Sequence, residues 1–467
     1  MHPKFKLHSK HQKILADTLT PVSVYLKIRD QFPQSLLLES SDYDARTNNF
    51  SYICCNPIAT LSIGGGKINC TFPDGSHQEK SLAAVDSVPQ LVQDFARQFE
   101  SKKYRFKFIT NGLFGFIAHE AVAHFDHLTL RTDKSNLELP EIYYAVYQNI
   151  IAISLFNHEA HLFSHSYDGS DNLDQIEKIL KRDNTTAYQF KKQGDKASNL
   201  TDEEFTTLVN KAKEHCFRGD VFQLVLSRRF SQGFSGDEFN VYRTLRSVNP
   251  SPYLFFFDYG DFKIFGSSPE AQLVVEQGKA EIHPIAGTFR RTGNDAQDLA
   301  SAELLAADPK ENSEHVMLVD LARNDLSRNG TGVVVEKNRE IQFFSHVIHL
   351  VSKVTAFLKP KAKTFQVVAD TFPAGTLSGA PKHMALQLID RYENTARNAY
   401  GGALGYMDFQ GNFNHCIIIR SFMSKNQQLH FQAGAGIVSK SVPENELQEV
   451  YNKLGALDKA LTLAEKI

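Results

Sequence analysis

The 467-residue sequence contains no tryptophan, although it has 35 phenylalanines and 16 tyrosines. It has no marked excess of either charge, because 51 Lys and Arg residues oppose 53 Asp and Glu residues and leave a net charge of −2. A general nucleic-acid-binding protein is usually strongly basic, so the balance argues against that class but not against an anionic substrate held by a local basic cluster. Hydrophobic residues at 42% and charged residues at 22% are typical of a globular chain and exclude a disordered, collagenous or coiled-coil protein.

Signals for disulfides, secretion and membrane insertion are also missing. The five cysteines are odd in number and form no CxxC pair, which favours free thiols in a reducing compartment. The N-terminus lacks the apolar core of a signal peptide. The longest apolar stretch, Tyr143–Phe156, is interrupted by Gln148 and Asn149 and is too short to span a bilayer. We therefore expect a cytoplasmic protein.

A polar stretch over residues 164–199 separates two parts of the chain. We expect an N-terminal domain over residues 1–165, a polar connection over 166–200 and a larger second domain over 201–467. Short aromatic and β-branched segments predict strands on both sides of the connection. Because these strands follow one another as hairpins, without strict β-α-β alternation, the pattern favours an α+β fold with antiparallel sheets. The helices predicted in the second part cover residues 298–308, 311–326, 379–392 and 443–465.

Two pairs of glutamates lie three residues apart in predicted helices. Glu311 and Glu314 lie in the first turns of a helix that Asp308 can cap, and Glu446 and Glu449 repeat the spacing near the C-terminus. Acidic residues are common in first turns because they interact favourably with the helix dipole, so a solvated face explains the pattern. The alternative is that both pairs converge on a hard cation such as Mg²⁺. Spacing alone leaves both interpretations open.

Three other segments are ambiguous when each is taken alone, and two of them carry residues suited to anion binding. Gly434 and Gly436 either form a tight β-turn or bring backbone N–H groups against an anion. Arg420 ends an apolar run that predicts a strand over Ile417–Ser421, where its guanidinium either pairs with a buried carboxylate or binds an anionic ligand. The segment around Gly379 predicts a loop that enters a helix.

Four motifs in order carry a family resemblance: EHVMLVDLARND (314–325), PAGTLSGAPK (373–382), YGGALGY (400–406) and QAGAGIV (432–438). Together they resemble the chorismate-utilising enzymes and, among these, the component I family of anthranilate synthases. The resemblance implies two large antiparallel β-sheets packed as a sandwich and flanked by helices. It also implies Mg²⁺-dependent conversion of chorismate and ammonia to anthranilate and pyruvate through 2-amino-2-deoxyisochorismate, the first step of tryptophan biosynthesis. The implied partner is a glutamine amidotransferase subunit that supplies the ammonia.

The resemblance assigns roles to individual positions. Glu314 and Glu449 match Mg²⁺ ligands, with Glu311 and Glu446 as supporting acids. Glu270 matches the general acid that helps the ring hydroxyl leave, and its pKa should be raised by burial. The resemblance further implies catalytic roles for His349, Gln223 and Thr376, and substrate-binding roles for Tyr400, Arg420, Gly287, Thr288, Gly434, Gly436 and Lys453.

Two positions separate the branches of the family. Relatives that add water to chorismate carry a lysine base where this chain has Gln223. Aminodeoxychorismate synthases of the folate pathway commonly carry a nucleophilic lysine where this chain has Ala286. Both positions favour anthranilate synthesis. An aminodeoxychorismate synthase that lacks the lysine remains the alternative, and an isochorismate or salicylate synthase and a non-catalytic amino-acid sensor are further candidates.

Two segments resemble those that build the site for feedback inhibition by tryptophan. The first ends in Glu39 and Ser40, and the second contains Pro252, Tyr253 and Leu254. Leu254 stands where many relatives have methionine, so an apolar pocket of altered shape is expected.

Overall fold

The computed structural model describes residues 3–40, 50–134, 137–183, 185–343 and 347–467, without the side chains of Thr288, Arg290 and Lys310. Within these ranges the chain forms eleven α-helices and twenty-three strands. The helices are α1 (Pro21–Ile28), α2 (Val88–Ala96), α3 (Leu173–Leu180), α4 (Asp202–Arg218), α5 (Phe239–Val248), α6 (Asp295–Ala307), α7 (Pro309–Asn329), α8 (Thr364–Thr371), α9 (Gly375–Ser378), α10 (Lys382–Tyr392) and α11 (Pro443–Ala464). The strands are β1 (Phe5–Leu15), β2 (Leu36–Glu39), β3 (Ser51–Gly64), β4 (Lys67–Thr71), β5 (His77–Ser81), β6 (Phe99–Ser101), β7 (Gly112–Ile117), β8 (Ile142–Ser154), β9 (Glu159–Ser166), β10 (Phe190–Ser198), β11 (Gln223–Gly236), β12 (Tyr253–Asp258), β13 (Phe262–Ser268), β14 (Ala271–Glu276), β15 (Lys279–Ile282), β16 (Ile285–Arg290), β17 (Gly330–Phe343), β18 (Val347–Leu358), β19 (Gly379–Ala380), β20 (Ala403–Asp408), β21 (Phe413–Ile417), β22 (Ser421–Lys425) and β23 (Gln428–Ile437).

The long strands β3 and β8 belong to two antiparallel sheets. At one end of the two paired strands, both belong to a first sheet with the strand order β10-β11-β23-β22-β13-β12-β2-β3-β8-β9-β1. At the other end, both belong to a second sheet with the strand order β5-β4-β3-β8-β7-β20-β21-β14-β15-β18-β17. The register of β3 against β8 shifts between Pro57 and Ala59, where the pair passes from one sheet to the other.

One apolar cluster fills the space between the sheets. Leu38, Phe255 and Ile264 contribute to it from the first sheet, and Phe116 and Leu404 contribute from the second. Helices α4, α5 and α11 pack on the side of β11 and β23, whereas α7 packs on β16, β17 and β18. The observed architecture is the α+β sandwich expected from the sequence.

Strand pairing crosses the domain boundaries expected from the sequence. β2 and β7, from the first 165 residues, pair with β12 and β20 from the second part of the chain. The expected connection over 166–200 contains the short helix α3 and also β10, which pairs with β11. β10 was not predicted, because its side chains are mostly exposed and show no apolar alternation.

The prediction of one continuous strand over Ile417–Ser421 is wrong. β21 ends at Ile417 and β22 begins at Ser421 in the other sheet. Between them Arg420 has a φ of +48°, which a regular strand excludes. The predicted helix 379–392 begins later, at Lys382, because Gly379 and Ala380 pair with β11. No α-helix in the described ranges combines the length and the apolar character needed to cross a bilayer.

Candidate active site

At two points where the chain crosses between the sheets, a carboxyl group and a guanidinium group lie near each other. Glu270 lies where β13 of the first sheet leads into β14 of the second, and Arg420 lies where β21 leads back into β22. The Arg420 carbonyl accepts a hydrogen bond from the Ser267 backbone, 3.1 Å, and the Glu270 carbonyl accepts one from Ile417, 3.0 Å. Backbone hydrogen bonds therefore hold the two crossings against each other.

Glu270 is a buried carboxyl group, 8% exposed. Its Oε1 accepts a hydrogen bond of 3.0 Å from Thr376 Oγ1 on α9. Burial raises the pKa of Glu270 to about 8, although the Thr376 hydrogen bond and the charges of Arg420 and Lys453 act in the opposite direction. The group therefore carries a proton near neutral pH, as the sequence predicted, and can donate it to a leaving oxygen.

The Arg420 guanidinium is suited to an anionic ligand. Burial lowers its pKa, while the nearby Glu270 acts to raise it. Across the described ranges, no hydrogen bond or ion pair joins the guanidinium to another side chain. Of the two interpretations from the sequence, this arrangement favours ligand binding over a structural ion pair, because a carboxylate can accept two parallel N–H bonds from the fork.

Gly434 and Gly436 do not form the turn considered from the sequence, because both lie within β23. Opposite Gly434, the Ser227 N–H donates away from β23 to Glu393 Oε1, 2.9 Å. Gly434 and Gly436 are thus in non-hydrogen-bonded register with β11, and their peptide groups face the other edge of β23. β22 covers that edge only to Phe431, so peptide groups of both glycines face the site.

Tyr400 and α11 lie beside this edge. Lys453 Nζ donates to the Gly434 carbonyl, 2.8 Å, and forms an ion pair with Glu449 Oε1, 2.7 Å. Burial raises the pKa of Tyr400, and a hydrogen bond from the Gly434 backbone acts to lower it. Glu446 is buried one turn earlier on the same helix. The structure thus brings Tyr400, Gly434, Glu449 and Lys453 together.

The other acidic pair approaches the same strand from α7. Gln223 Nε2 donates to Glu314 Oε1, 2.7 Å. A Cβ atom on Gly436 would lie 2.6 Å from Gln223 Nε2 and 3.6 Å from Glu314 Oε1, so only glycine leaves this space open. A Cβ on Gly287 would lie 3.2 Å from Glu311 Oε2. Asp308 caps α7 as predicted, with its Oδ1 accepting the Glu311 N–H at 3.1 Å.

The donor chemistry of the two acidic pairs fits Mg²⁺ when a ligand completes the coordination. Within the described ranges, no three carboxylate, imidazole or thiol side chains lie close enough together to hold a metal ion. Mg²⁺ is commonly held by one or two carboxylates, with water and substrate oxygens at the remaining positions. Glu314 supplies such oxygens beside Gly436, and Glu449 supplies them beside Lys453, which binds the Gly434 carbonyl.

His349 on β18 has a defined protonation state. Its Nδ1 lies 2.7 Å from the Gly287 carbonyl, which can only accept, so Nδ1 carries the proton. Burial lowers the pKa of His349 to about 4, with a further lowering by the Arg420 charge and an opposing effect of the Gly287 hydrogen bond. The imidazole is therefore neutral at pH 7, with Nε2 as its basic atom. The predicted role of the Thr288 side chain lies outside the described part of the chain.

The two segments predicted to bind an inhibitor meet in the first sheet. Glu39 on β2 pairs in register with Leu254 on β12. The buried Glu39 carboxylate accepts hydrogen bonds from Tyr242 Oη, 2.6 Å, and from Arg246 Nε and Nη2, 2.8 and 3.0 Å. Tyr253 and Pro252 are half-buried at the start of the same strand, and Ser40 follows Glu39 directly. Adjacency of the two segments supports a shared site, but a protein cation already engages Glu39.

Sequence reasoning missed a buried ion pair behind the site. Arg397 and Glu393 are 1% and 2% exposed and are joined by two hydrogen bonds of 2.9 and 2.6 Å. The available signal was their i,i+4 spacing directly before Tyr400, where charged residues among small and apolar ones imply a satisfied pair.

This fold and site define the class of protein. The family of chorismate binding enzymes matches residues 37–459, so the chain belongs to that family and is a chorismate-utilising enzyme. Its relatives include anthranilate synthase component 1 of Neisseria gonorrhoeae, 37% identical with coverage of 97% of this chain and 95% of the relative. The corresponding Aquifex aeolicus protein is 36% identical, with coverage of 98% and 95%.

Solved structures agree with this assignment. Anthranilate synthase component I of Streptococcus pneumoniae superposes with a TM-score of 0.74 at 30% identity and covers 95% of this chain and 98% of its own. The menaquinone-specific isochorismate synthase of Escherichia coli also superposes with a TM-score of 0.74, covering 99% of this chain and 96% of its own. Because the identity to the latter is only 19%, that likeness bears on the fold alone.

Proposed function

We propose that the chain is the synthase component of an anthranilate synthase, which converts chorismate and ammonia to anthranilate and pyruvate by way of 2-amino-2-deoxyisochorismate. The observation that carries the proposal is Glu270, a protonated buried carboxyl beside the ligand-facing guanidinium of Arg420. The names of the relatives at 36–37% identity over nearly the full chain support the same reaction.

Substrate binding falls to two groups of residues near Glu270. Arg420 and Tyr400 hold the enolpyruvyl carboxylate, because a guanidinium fork and a phenol together supply directional donors to an anion. The Gly436 backbone N–H and Lys453 lie near the ring carboxylate. Glu314 and Glu449, supported by Glu311 and Glu446, would hold Mg²⁺, which when bound neutralises charge between these acids and the ring carboxylate.

The chemistry uses one acid and one base. Glu270 donates its proton to the departing ring hydroxyl as ammonia adds at the carbon next to the one that bears the carboxylate. Thr376 fixes the orientation of Glu270 through its hydrogen bond. In the second step, Nε2 of the neutral His349 accepts the proton of the amino-bearing carbon while the ring C–O bond breaks and enolpyruvate leaves with its electron pair. The proton then passes to the methylene carbon of the enolpyruvate, which becomes pyruvate and leaves His349 neutral again. Gln223 holds Glu314 in place and offers no basic group to activate water.

A partner and an inhibitor complete the proposal. The relatives are named component 1, which supports a second component, and we propose a glutamine amidotransferase subunit that delivers ammonia. We further propose that tryptophan binds between the segments of Glu39 and Leu254 and inhibits the enzyme. All five cysteines are free, which supports a reducing cytoplasm.

The test is a fluorescence assay of the purified chain with chorismate, Mg²⁺ and excess ammonium at mildly alkaline pH. We expect growth of anthranilate emission, abolished by a chelator and reduced by tryptophan. Consumption of chorismate without anthranilate would contradict the proposal, and mass spectrometry would then distinguish aminodeoxychorismate, the product of the folate branch, from isochorismate. The absence of any reaction with free ammonium would contradict a catalytic synthase chain that works without its partner.

A further inference from the structure

Arg397 is among the largest side chains that the fold buries completely. Its Nη1 donates to the Leu377 carbonyl, 2.6 Å, and its Nη2 donates to the Val225 carbonyl, 2.8 Å. Nε and Nη2 also donate to the two carboxylate oxygens of Glu393, at 2.9 and 2.6 Å. Four of the five N–H bonds of the guanidinium thus have acceptors on three different segments.

Two of these segments carry a residue of the candidate active site, and a third such residue lies close to Arg397 on its own segment. Leu377 follows Thr376 on α9, and Val225 lies two residues after Gln223 on β11, so their side chains share a face of that strand. Tyr400 follows Arg397 by three residues, and its ring centre lies 5.8 Å from the guanidinium carbon. One buried side chain therefore joins the supports of Thr376, Gln223 and Tyr400.

Glu393, the counter-ion of Arg397, links the same segments to the part of β11 that lies opposite Gly434. Glu393 Oε1 also accepts hydrogen bonds from the N–H and the hydroxyl of Ser227, 2.9 and 2.7 Å. Ser227 lies directly opposite Gly434 in the β11–β23 ladder. The ion pair therefore supports the strand behind Gly434 as well as the loop that presents Tyr400.

We propose that Arg397 is a positioning residue of this enzyme, which sets the relative placement of Thr376, Gln223 and Tyr400 through the carbonyl groups that its guanidinium binds. The inference rests on the proposed function, because it concerns the geometry of that same site. Arg397 is not placed in contact with substrate. Its effect on catalysis passes through Thr376, which holds Glu270, and through Tyr400.

The planar fork explains why arginine occupies this position. A lysine ammonium is a compact point charge, and it cannot reach carbonyl groups on two segments and both oxygens of a carboxylate in one geometry. Arg397→Lys therefore keeps the charge beside Glu393 but releases at least one of the carbonyl groups of Val225 and Leu377. A misplacement of about 1 Å in a catalytic site can cost ~10²-fold in rate.

The first test compares Arg397→Lys with Arg29→Lys in the ammonium-dependent assay of the full chain. Arg29 binds Asp237 through a similar fork, at 3.1 and 2.6 Å, but contacts none of the three site segments. We expect kcat/KM for chorismate to fall ~10²-fold in Arg397→Lys and to stay within about twofold of wild type in Arg29→Lys. Equal kcat/KM in the two variants would overturn the inference, whereas a wild-type chain that forms no anthranilate would instead contradict the proposed function.

The second test separates positioning from core stability. The double variant Glu393→Gln/Arg397→Met replaces the ion pair by neutral groups, so no buried charge is left unpaired. We expect its melting temperature to exceed that of Arg397→Met alone while kcat/KM remains as low. Recovery of both quantities together would show that Arg397 acts only through stability and would overturn the inference.

The pH profile gives a readout that a purely structural role would not change. Three groups face Glu270, namely Thr376, Arg420 and Lys453. Of these, only Thr376 is positioned by Arg397, which binds the carbonyl of the neighbouring Leu377. Displacement of Thr376 removes a hydrogen bond that lowers the pKa of Glu270, so the alkaline limb of kcat should move to higher pH in Arg397→Lys. An unshifted limb, identical to that of Arg29→Lys, would contradict the proposed route through Thr376.

Discussion

Two buried glutamates in neighbouring parts of the first sheet have opposite surroundings. Glu39 accepts three hydrogen bonds, from the Tyr242 hydroxyl and from two nitrogens of Arg246. Within the described ranges, Glu270 accepts one hydrogen bond, from the neutral hydroxyl of Thr376, and forms no ion pair. The two are only two strands apart, since Leu254 pairs with Glu39 on one side and with Ser267, three residues before Glu270, on the other.

The difference shows how the fold assigns roles to identical side chains. Burial disfavours the charged form of a carboxyl group unless a cation or several donors compensate. At Glu270, one hydroxyl and the charges of Arg420 and Lys453 offset burial only in part, so the pKa rises to about 8 and the group is an acid. At Glu39 the guanidinium fork supplies the compensation, so the carboxylate is an anchor, and an effector with an ammonium group would have to compete with Arg246 for it.

Removal of the acid should have the largest effect. Glu270→Gln keeps the shape and the Thr376 contact but cannot transfer a proton, so we expect kcat to fall by ~10²–10⁴-fold. Steady-state anthranilate formation with excess ammonium measures the loss. The matched control is Glu276→Gln, an exposed position on the following strand, which should retain wild-type kcat. A Glu270→Gln enzyme with the kcat of wild type would show that Glu270 is not the catalytic acid. The contrast between Glu270 and Glu39 would then have no bearing on catalysis.

Removal of the anchor should affect regulation more than chemistry. Glu39→Gln weakens charge-assisted hydrogen bonds that are each worth about 1.5–3 kcal/mol, so the tryptophan concentration for half-inhibition should rise by ~10-fold or more. The free energy of unfolding should fall by a similar ~1–3 kcal/mol, measured by urea denaturation.

Asp237→Asn is the control for that variant. It weakens the Arg29 fork and should cost comparable stability without a change in tryptophan inhibition. Equal loss of inhibition in both variants would mean that stability, and not contact at Glu39, governs the response.

The features that sequence could predict are those with local physical causes. The Thr201–Glu204 capping box begins α4, and Asp308 caps α7. Both caps depend only on residues within one turn, so a short stretch of sequence is enough to predict them. The raised pKa of Glu270 also followed from its implied role as an acid. By contrast, the polar strand β10 is stabilised by pairing with β11, which no local pattern reports.

The placement of the site depends on contacts that are distant in sequence. The Gln223–Glu314 contact spans 91 residues, and the Thr376–Glu270 contact spans 106 residues. The glycines of β23 looked like a turn because a pair of glycines is the usual signal for one, whereas here both lie within the strand and Gly436 leaves room for Gln223 and Glu314. Spacing alone could not show that the two acidic pairs approach one strand. The i,i+4 spacing of Glu393 and Arg397 could suggest an ion pair, but it could not show that Arg397 also binds the carbonyl groups of Val225 and Leu377.

The raised pKa of Glu270 should also appear in the stability of the protein. Between the ordinary glutamate pKa of ~4.3 and the folded value of about 8, the folded protein holds a proton that the unfolded chain has lost. The contribution of this group is therefore full below pH ~4.3 and is lost as the pH rises through about 8. We expect the melting temperature of wild type, relative to Glu270→Gln, to fall by several degrees between pH 5 and 9. A constant difference, as expected for Glu276→Gln, would mean that the folded protein does not raise the pKa of Glu270.

The smallest effect should come from the single hydroxyl that Glu270 does contact. Thr376→Val is nearly isosteric and removes the hydrogen bond that lowers the pKa of Glu270, so that pKa should rise by less than about one unit. The alkaline limb of the kcat profile should then move to higher pH, because the acid keeps its proton longer. At neutral pH, kcat should fall only severalfold, through poorer orientation of the carboxyl group. A shift of the limb to lower pH would mean that the hydroxyl favours the neutral acid, and the contrast with Glu39 would then rest on Arg246 alone.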